Sequence, residues 1–416
     1  MNKDSFRRYD CRLCGSKDLV CVFKLTPTPP ANAFVSAASS IAGQPLFPLD
    51  VYFCNKCTHV QLSDVVNPKL LFENYVYVSG TSPLFVQHFQ KYAEELVKKF
   101  TFKPLSCQLA IDIGSNDGTL LEAFKGLGLS VLGIDPASDI AAAATRRGIE
   151  TKAAFFSSAL AAEIKSTWGR GALITANNVF AHADNLHDIT QGIADLLAPN
   201  GVFVFEASYL VDVLEKHFFD TIYHEHLAYH SVSPLVEFFR QYGLELFSAK
   251  RVDSHGGSVR GFVGHKEGPW KPDGSVTDLI KIEYDLGLHC ADTFVQFATD
   301  IEAIGNQFRD VLTELKNKGK SVAGFGAPAK ATTLMYHFGI GPDMIDFIID
   351  DSPLKQGLYS PGMHIPVVSS EELYLRKPDA VVILAWNFAN SIMENHKKYR
   401  NDGGTFIIPL PSVQIH

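Results

Sequence analysis

Apolar and polar positions change rhythm three times along this chain. Up to about residue 80 there is no sustained period. Short apolar runs end at Cys11-Arg12-Leu13-Cys14 and Cys54-Asn55-Lys56-Cys57, and Pro27, Pro29 and Pro30 mark an extended loop running into Ala31-Asn32-Ala33-Phe34. From Pro83 to Phe100 the apolar residues Phe85, Phe89, Tyr92, Ala93, Leu96 and Val97 recur at helical spacing, which predicts an amphipathic helix. From Leu109 the pattern predicts strands at Leu109–Ile113, Val131–Ile134, Leu173–Asn177 and Val202–Glu206, separated by helical segments. That alternation reads as a parallel, doubly wound sheet. Leu244–Val252 and Ser258–His265, joined by a Gly-Gly turn, read as an antiparallel hairpin.

The stretch from Glu267 to Gly274, rich in proline and glycine, reads as a linker. A long helix from about Thr293 to Lys316 follows, then a second alternating unit with strands at Ser321–Gly324, Ile345–Ile349, Ala380–Ala385 and Thr405–Pro409. There is no internal repeat of fixed period. The expected architecture is α/β in three parts: an N-terminal zinc ribbon over 1–80, a central Rossmann-like domain over 81–267, and a second Rossmann-like α/β domain over 268–416. A parallel sheet closed by an antiparallel edge pair suits a class I methyltransferase.

A chain of 416 residues is long enough for two or three cores. Its composition, 46% hydrophobic and 20% charged, is that of a soluble globular protein. No apolar run approaches the roughly 18 residues that a spanning helix needs, and the opening residues have no apolar signal core. A cytoplasmic protein with no membrane partner is expected. The formal charge of −8 and the lack of Lys/Arg runs argue against a nucleic-acid partner. A monomer or weak homodimer is expected.

Five of the seven cysteines fall within the first 57 residues. Without a secretion signal, such clustering favours metal over disulfides. Cys11, Cys14, Cys54 and Cys57 offer four thiolates for one tetrahedral Zn²⁺, and a site with every position filled by sulfur is structural. Cys21 reads as a buried small hydrophobe.

The run Ile111-Asp112-Ile113-Gly114-Ser115-Asn116-Asp117-Gly118 places glycines where a strand turns into a helix, so that backbone can approach a ligand. The dinucleotide pattern Gly-x-Gly-x-x-Gly is absent, and Asp135 ends the next strand, where a carboxylate can accept from ribose hydroxyls. Those features favour S-adenosylmethionine over NAD, with Gly114, Asn116, Asp117, Gly118, Asp135, Asn177 and Asn178 as its candidate contacts. Asn177 and Asn178 follow a core strand on the rim where such folds bind ligands, with His182 just beyond.

Tyr223-His224-Glu225-His226 follows the fourth core strand. It could serve acid–base chemistry, bind a metal (as could His226 with His230 one helical turn on), or merely pack. Tyr75 to Ser82 forms a polar and aromatic stretch. Gly324-Phe325-Gly326-Ala327-Pro328-Ala329-Lys330 sits at another strand-to-helix turn, where backbone amides and a lysine can hold a phosphate; a tight structural turn explains it equally well.

Taken in order, the zinc ribbon, Tyr-x-Tyr-x-Ser-Gly-Thr-Ser, Asp-x-Gly-x-Asn-Asp-Gly, Asn-x-x-Ala-His, Tyr-His-Glu-His and Gly-Phe-Gly-Ala-x-Ala-Lys resemble the deoxysugar C-methyltransferases, and among them the C-3 methyltransferases of branched deoxysugars. The resemblance covers essentially the whole chain. It implies a 4-keto deoxysugar on a nucleoside diphosphate, usually dTDP, held between the central and C-terminal domains. It also implies that Tyr77, His182, Tyr223, Glu225 and His226 line the reacting sugar, with His226 as base, and that Ser79, Gly326 and Lys330 contribute to substrate binding. Asp135 stands where glutamate is common, and either carboxylate can hold the ribose.

The chemistry agrees with that set. A carbon bearing hydrogen attacks a sulfonium methyl only after deprotonation, which a neighbouring ketone permits by taking up the charge as an enolate. An imidazole with an ordinary pKa of about 6.5 is a suitable base. Glu225 could orient it, and Tyr223 or His182 could donate to the enolate oxygen. An O- or N-methyltransferase, an NAD-dependent sugar-nucleotide oxidoreductase and a non-enzymatic zinc adaptor are the rival readings.

Overall fold

The computed structural model describes residues 4–36, 43–72, 80, 83–100 and 104–416. Its largest sheet has seven strands in the order Leu244–Val252, Ser258–His265, Leu197–Ser208, Gly171–Asn177, Leu109–Ile113, Ser130–Asp135, Thr151–Ala153. All neighbours are parallel except the two pairs made by Ser258–His265. Every residue of Leu109–Ile113 is buried, as expected of a central strand covered by helices on both faces. The strand order reverses beside it, so the ends of Leu109–Ile113 and Gly171–Asn177 open the crevice where such sheets bind ligands. Pro83–Phe100 forms the expected helix, burying Tyr92, Ala93, Leu96 and Phe100 against this sheet.

Residues 268–285 stay with this core. Trp270 packs on Phe100 and Phe247, and in the helix Ser275–Asp285 the buried Glu283 carboxylate accepts from the Tyr209 hydroxyl and the amides of Val232 and Ser233. The chain therefore leaves the core after this helix rather than at residue 268. The 27-residue helix Ala291–Asn317 makes the connection, burying Phe294, Phe297, Ile301, Phe308 and Leu312 along one face. The C-terminal sheet then runs Val367–Val368, Phe347–Ile349, Val322–Phe325, Ala380–Ile383, Thr405–Ile408, Gln414–Ile415, parallel except for the last pair.

The N-terminal sheet contains a strand from outside its own region. Leu19–Phe23, Val51–Cys54 and Val60–Leu62 are joined by Ala228–Tyr229, which pairs antiparallel with Val60–Leu62. This excludes the helical turn considered for His226 and His230. His230 is fully buried between the rings of Phe180 and His59, outside the metal-ligand cluster found among the described residues. Among the described residues, no helix is long and apolar enough to cross a membrane.

Candidate active site

The thiols of Cys11, Cys14, Cys54 and Cys57 lie within 4.8 Å of one another. The shortest Sγ–Sγ approaches are 3.5 Å for Cys11 with Cys57 and 3.6 Å for Cys14 with Cys54. A disulfide needs about 2.05 Å, whereas four sulfurs at about 2.3 Å from one Zn²⁺ stand somewhat under 4 Å apart. The cluster fits zinc. Cys21 is on the neighbouring strand, only half-buried, and outside the cluster. Arg12, between the first two cysteines, is fully buried and anchors the knuckle to the Leu62 carbonyl and to Asp184, whose carboxylate is 3.2 Å away.

At the end of Leu109–Ile113, Gly114, Asn116 and Gly118 adopt φ of +70°, +50° and +80°. A Cβ on Gly114 would stand 2.3 Å from Val179, so only glycine fits. Asp135 is buried, and its two oxygens accept from the amides of Asn116 at 2.8 Å and Ala137 at 2.9 Å. Burial raises its carboxyl above the ordinary range, against the pull of those amides. Asp117 turns out to be occupied locally. Its carboxylate accepts from the Thr119 hydroxyl at 2.7 Å and the Gly80 amide at 3.1 Å, anchoring the start of the helix Thr119–Gly126. Asn178 sits at φ +54°, its amide on the Glu206 carbonyl. The buried side-chain amide of Asn177 meets no partner at full hydrogen-bond geometry among the described residues, with the Tyr92 hydroxyl beside it. Unmet donors and acceptors at the mouth of a glycine-lined turn, beside a buried carboxylate, fit the adenosyl cofactor. The methyl donor's contacts would come from Gly114, Asn116, Asp135 and the two asparagines.

His182, His226, Asn178, Ser208, Ala181, Ala228 and Tyr229 line a small cavity one step along the same rim. The rings of His182 and His226 are 5.0 Å apart, Tyr223 lies tilted against His226 at 4.1 Å, and Phe72 covers His182 at 5.6 Å. The carbonyl of Thr221, not Glu225, holds Nδ1 of His226, at 2.7 Å. Burial, and secondarily His226, hold His182 well below the ordinary imidazole pKa. The segment from 220 to 229 is gripped from all sides. His224 meets the Phe47 carbonyl at 3.1 Å, Glu225 accepts from Asn32 at 2.7 Å, and the Leu62 amide donates to Leu227 at 3.0 Å. From the C-terminal domain, the Thr333 hydroxyl donates to Ile222 at 2.7 Å and the Trp386 indole to Asp220 at 2.6 Å. Thr221, Asn32 and Ser208 were not singled out in the sequence, whose local pattern gives no signal for them. Tyr77 and Ser79 lie outside the described residues.

The C-terminal turn repeats the construction of the central one. Gly326 has φ +85° and a Cβ there would be 2.5 Å from Ala385, while its amide meets the Ile349 carbonyl at 2.7 Å, as Gly114 meets Ile134 at 2.7 Å. Asp350 ends the next strand and accepts from Ala327 at 2.7 Å and Ser352 at 2.8 Å, matching Asp135. Lys330 is less open than expected. Its ammonium sits 3.4 Å from the centre of the Trp386 ring, near Asp220. Burial lowers its pKa to about 8, against the attraction of Asp220.

The seven-stranded sheet, the glycine turn with its ribose-position carboxylate and the cysteine cluster together define a class I, S-adenosylmethionine-dependent methyltransferase with a structural zinc domain. Family models agree: a zinc binding domain matches residues 11–72, a methyltransferase domain 85–249, and a C-methyltransferase C-terminal domain 253–411. The chain is 35% identical to the C-methyltransferase NovU of Streptomyces niveus over 406 residues, 98% of this chain and 96% of that protein. It belongs to that C-methyltransferase family and is an S-adenosylmethionine-dependent C-methyltransferase. The ubiquinone biosynthesis O-methyltransferase of Burkholderia thailandensis is 27% identical over 157 residues, 35% of this chain and 68% of that protein. Magnesium protoporphyrin IX methyltransferase from Synechocystis PCC 6803, solved with bound S-adenosylmethionine, superposes at TM-score 0.33 and 13% identity over 43% of this chain and 79% of that one.

Proposed function

We propose that the enzyme methylates C-3 of a dTDP-linked 4-keto deoxysugar, with His226 removing the proton from that carbon. The observation that carries this reading is the contact of His226 Nδ1 with the Thr221 carbonyl. A carbonyl can only accept, so Nδ1, 2.7 Å from the Thr221 oxygen, carries a hydrogen, and the basic nitrogen of the neutral ring is then Nε2. Neutral His182 beside it adds no charge against the imidazolium that forms when Nε2 takes the proton. Its own N–H, or the Tyr223 hydroxyl, donates to the oxygen of the enolate, a role worth roughly 3 kcal/mol in comparable oxyanion sites. S-adenosylmethionine supplies an electrophilic methyl group from the adjoining turn. Glu225 and Tyr77 complete the wall around the sugar. Gly326, which leaves the turn open, and the start of the helix Ala329–Phe338 face the diphosphate with Lys330, and the motif match gives Ser79 a polar contact there. The whole-length kinship with a C-methyltransferase supports the reaction class, because the O-methyltransferase relative shares only part of this chain.

The test uses dTDP-linked 4-keto-6-deoxysugars, beginning with dTDP-4-keto-6-deoxyglucose. In D₂O with S-adenosylhomocysteine bound, the enzyme should exchange one carbon-bound hydrogen, on the carbon that is methylated in the full reaction. His226→Asn should lose both exchange and methylation, since asparagine cannot act as a base near neutral pH. Tyr223→Phe should slow both less severely. A His226→Asn enzyme that exchanges and methylates at near wild-type rates would give the base to another residue.

A further inference from the structure

Glu225 is 2% exposed, and a carboxylate so deeply buried stays ionised only if something compensates its lost hydration. One compensating group comes from the zinc-binding domain. Asn32 Nδ2 donates to Glu225 Oε1 at 2.7 Å across 193 residues of sequence. The loop bearing Asn32 is itself braced. The Ala31 carbonyl accepts from the Thr332 hydroxyl at 3.1 Å, and the Ala33 carbonyl accepts from the Gln44 side chain at 2.8 Å, which in turn takes the Gly362 amide at 2.6 Å. Both braces tie into the C-terminal domain, so the amide of Asn32 is presented from a fixed backbone. A neutral donor has a specific consequence here. It satisfies a carboxylate lone pair without bringing in a counter-charge, as an arginine would.

We propose that Asn32 is a positioning residue for methyl transfer: the loop of the zinc-binding domain fixes the Glu225 carboxyl in the wall of the reaction site. The N-terminal domain thereby completes the active site as well as folding around its metal. This rests on the reading of Glu225 as part of the sugar pocket.

Asn32→Ala should lower kcat by about 10- to 100-fold, the effect of losing one charge-assisted hydrogen bond. S-adenosylmethionine affinity and one zinc per chain should be unchanged, which separates the effect from misfolding. The near-isosteric Asn32→Asp sets two carboxyls facing each other, one of which must take a proton that then restores the missing donor. The ratio of its kcat to wild type should therefore rise as pH falls, a signature that mere packing would not give. All rates are measured on the dTDP-linked 4-keto-6-deoxysugar found best in the series above. In Glu225→Gln, itself slowed, the further Asn32→Ala change should cost little. Asn32→Ala within twofold of wild type, a flat pH ratio for Asn32→Asp, or independent losses in the double variant would overturn the proposal while leaving Glu225 in place. Unimpaired Glu225→Gln would overturn it by removing Glu225 from the reaction.

Discussion

Asp135 holds two backbone amides, from Asn116 and Ala137, and stands where the cofactor ribose is expected. Asp135→Ala should therefore act twice, and the two effects can be read apart. In the free enzyme, both amides lose their acceptor in a buried turn, at roughly 1–3 kcal/mol each, so the ligand-free variant should melt earlier. Cofactor binding then loses charge-assisted bonds to the ribose of about 1.5–3 kcal/mol, a weakening of about 10- to 100-fold. At cofactor a thousandfold above the wild-type Kd, binding stabilises the wild type by about 4.1 kcal/mol; with Kd a hundredfold higher the same concentration yields only about 1.4 kcal/mol. Calorimetric titration gives Kd directly, and thermal melts with and without S-adenosylmethionine give the ligand-induced increment. A variant that melts early yet binds the cofactor with wild-type affinity would refute the reasoning. Asp135 would then be only a staple for the turn.

Freshly purified protein should contain one zinc per chain by elemental analysis, and Cys54→Ser should aggregate or melt early rather than fold with altered chemistry. Lys330→Ala should raise KM for the sugar nucleotide and leave cofactor affinity alone. Because burial brings the Lys330 pKa to about 8, wild-type KM should climb above that pH while the variant's stays level. Asp112 is buried against the Thr175 hydroxyl, and burial lifts its pKa to about 7, above the roughly 3.9 of an unfolded aspartate. The folded state thus holds an extra proton between those values, and its contribution to stability is lost as pH rises through 7. Melting curves should show wild type losing ground to Asp112→Asn between about pH 4 and 7 and the gap steady above; a gap independent of pH would count against the buried acid.

The parts of the fold legible in the sequence were those where burial dictates residue type over a run. Leu109–Ile113 is buried at every position and Pro83–Phe100 has one apolar face, so composition and period mark both. Thr151–Ala153 and Gln414–Ile415 are short, half-open edge strands in which nothing forces an apolar run. Ala228–Tyr229 is a strand only because Val60–Leu62, far away in sequence, offers it an edge. That pairing is why a helical spacing for His226 and His230 misled. Asp117 is ambiguous for another reason: an acid two residues before Thr119 can face a ligand or cap a helix with the same sequence, and the cap is seen only in the coordinates. The partners of Glu225 and His226 were hidden for opposite reasons. Asn32 is remote, whereas Thr221 acts through its backbone, which no side-chain pattern records.

The grip on residues 220–229 explains why a carbon-methylating enzyme carries two domains beyond the shared core. An oxygen nucleophile is already polar and needs little more than alignment with the methyl group. A carbon acid needs a base with a fixed tautomer, an acceptor for enolate charge, and exclusion of water that would return the proton before transfer. In the central fold alone, the segment after Leu197–Ser208 would be a loop at the open end of the sheet. Here Val60–Leu62 turns part of it into a strand, Asn32 and Phe47 take up two of its side chains, and Thr333 and Trp386 hold it from the opposite side. The Thr221 carbonyl can then fix the ring of His226 because its own backbone has nowhere to move. Zinc fits the same logic. Arg12, set between two of the cysteines, reaches the Leu62 carbonyl on the strand beside Ala228, so the metal that closes the knuckle also steadies the sheet that anchors the segment carrying His226.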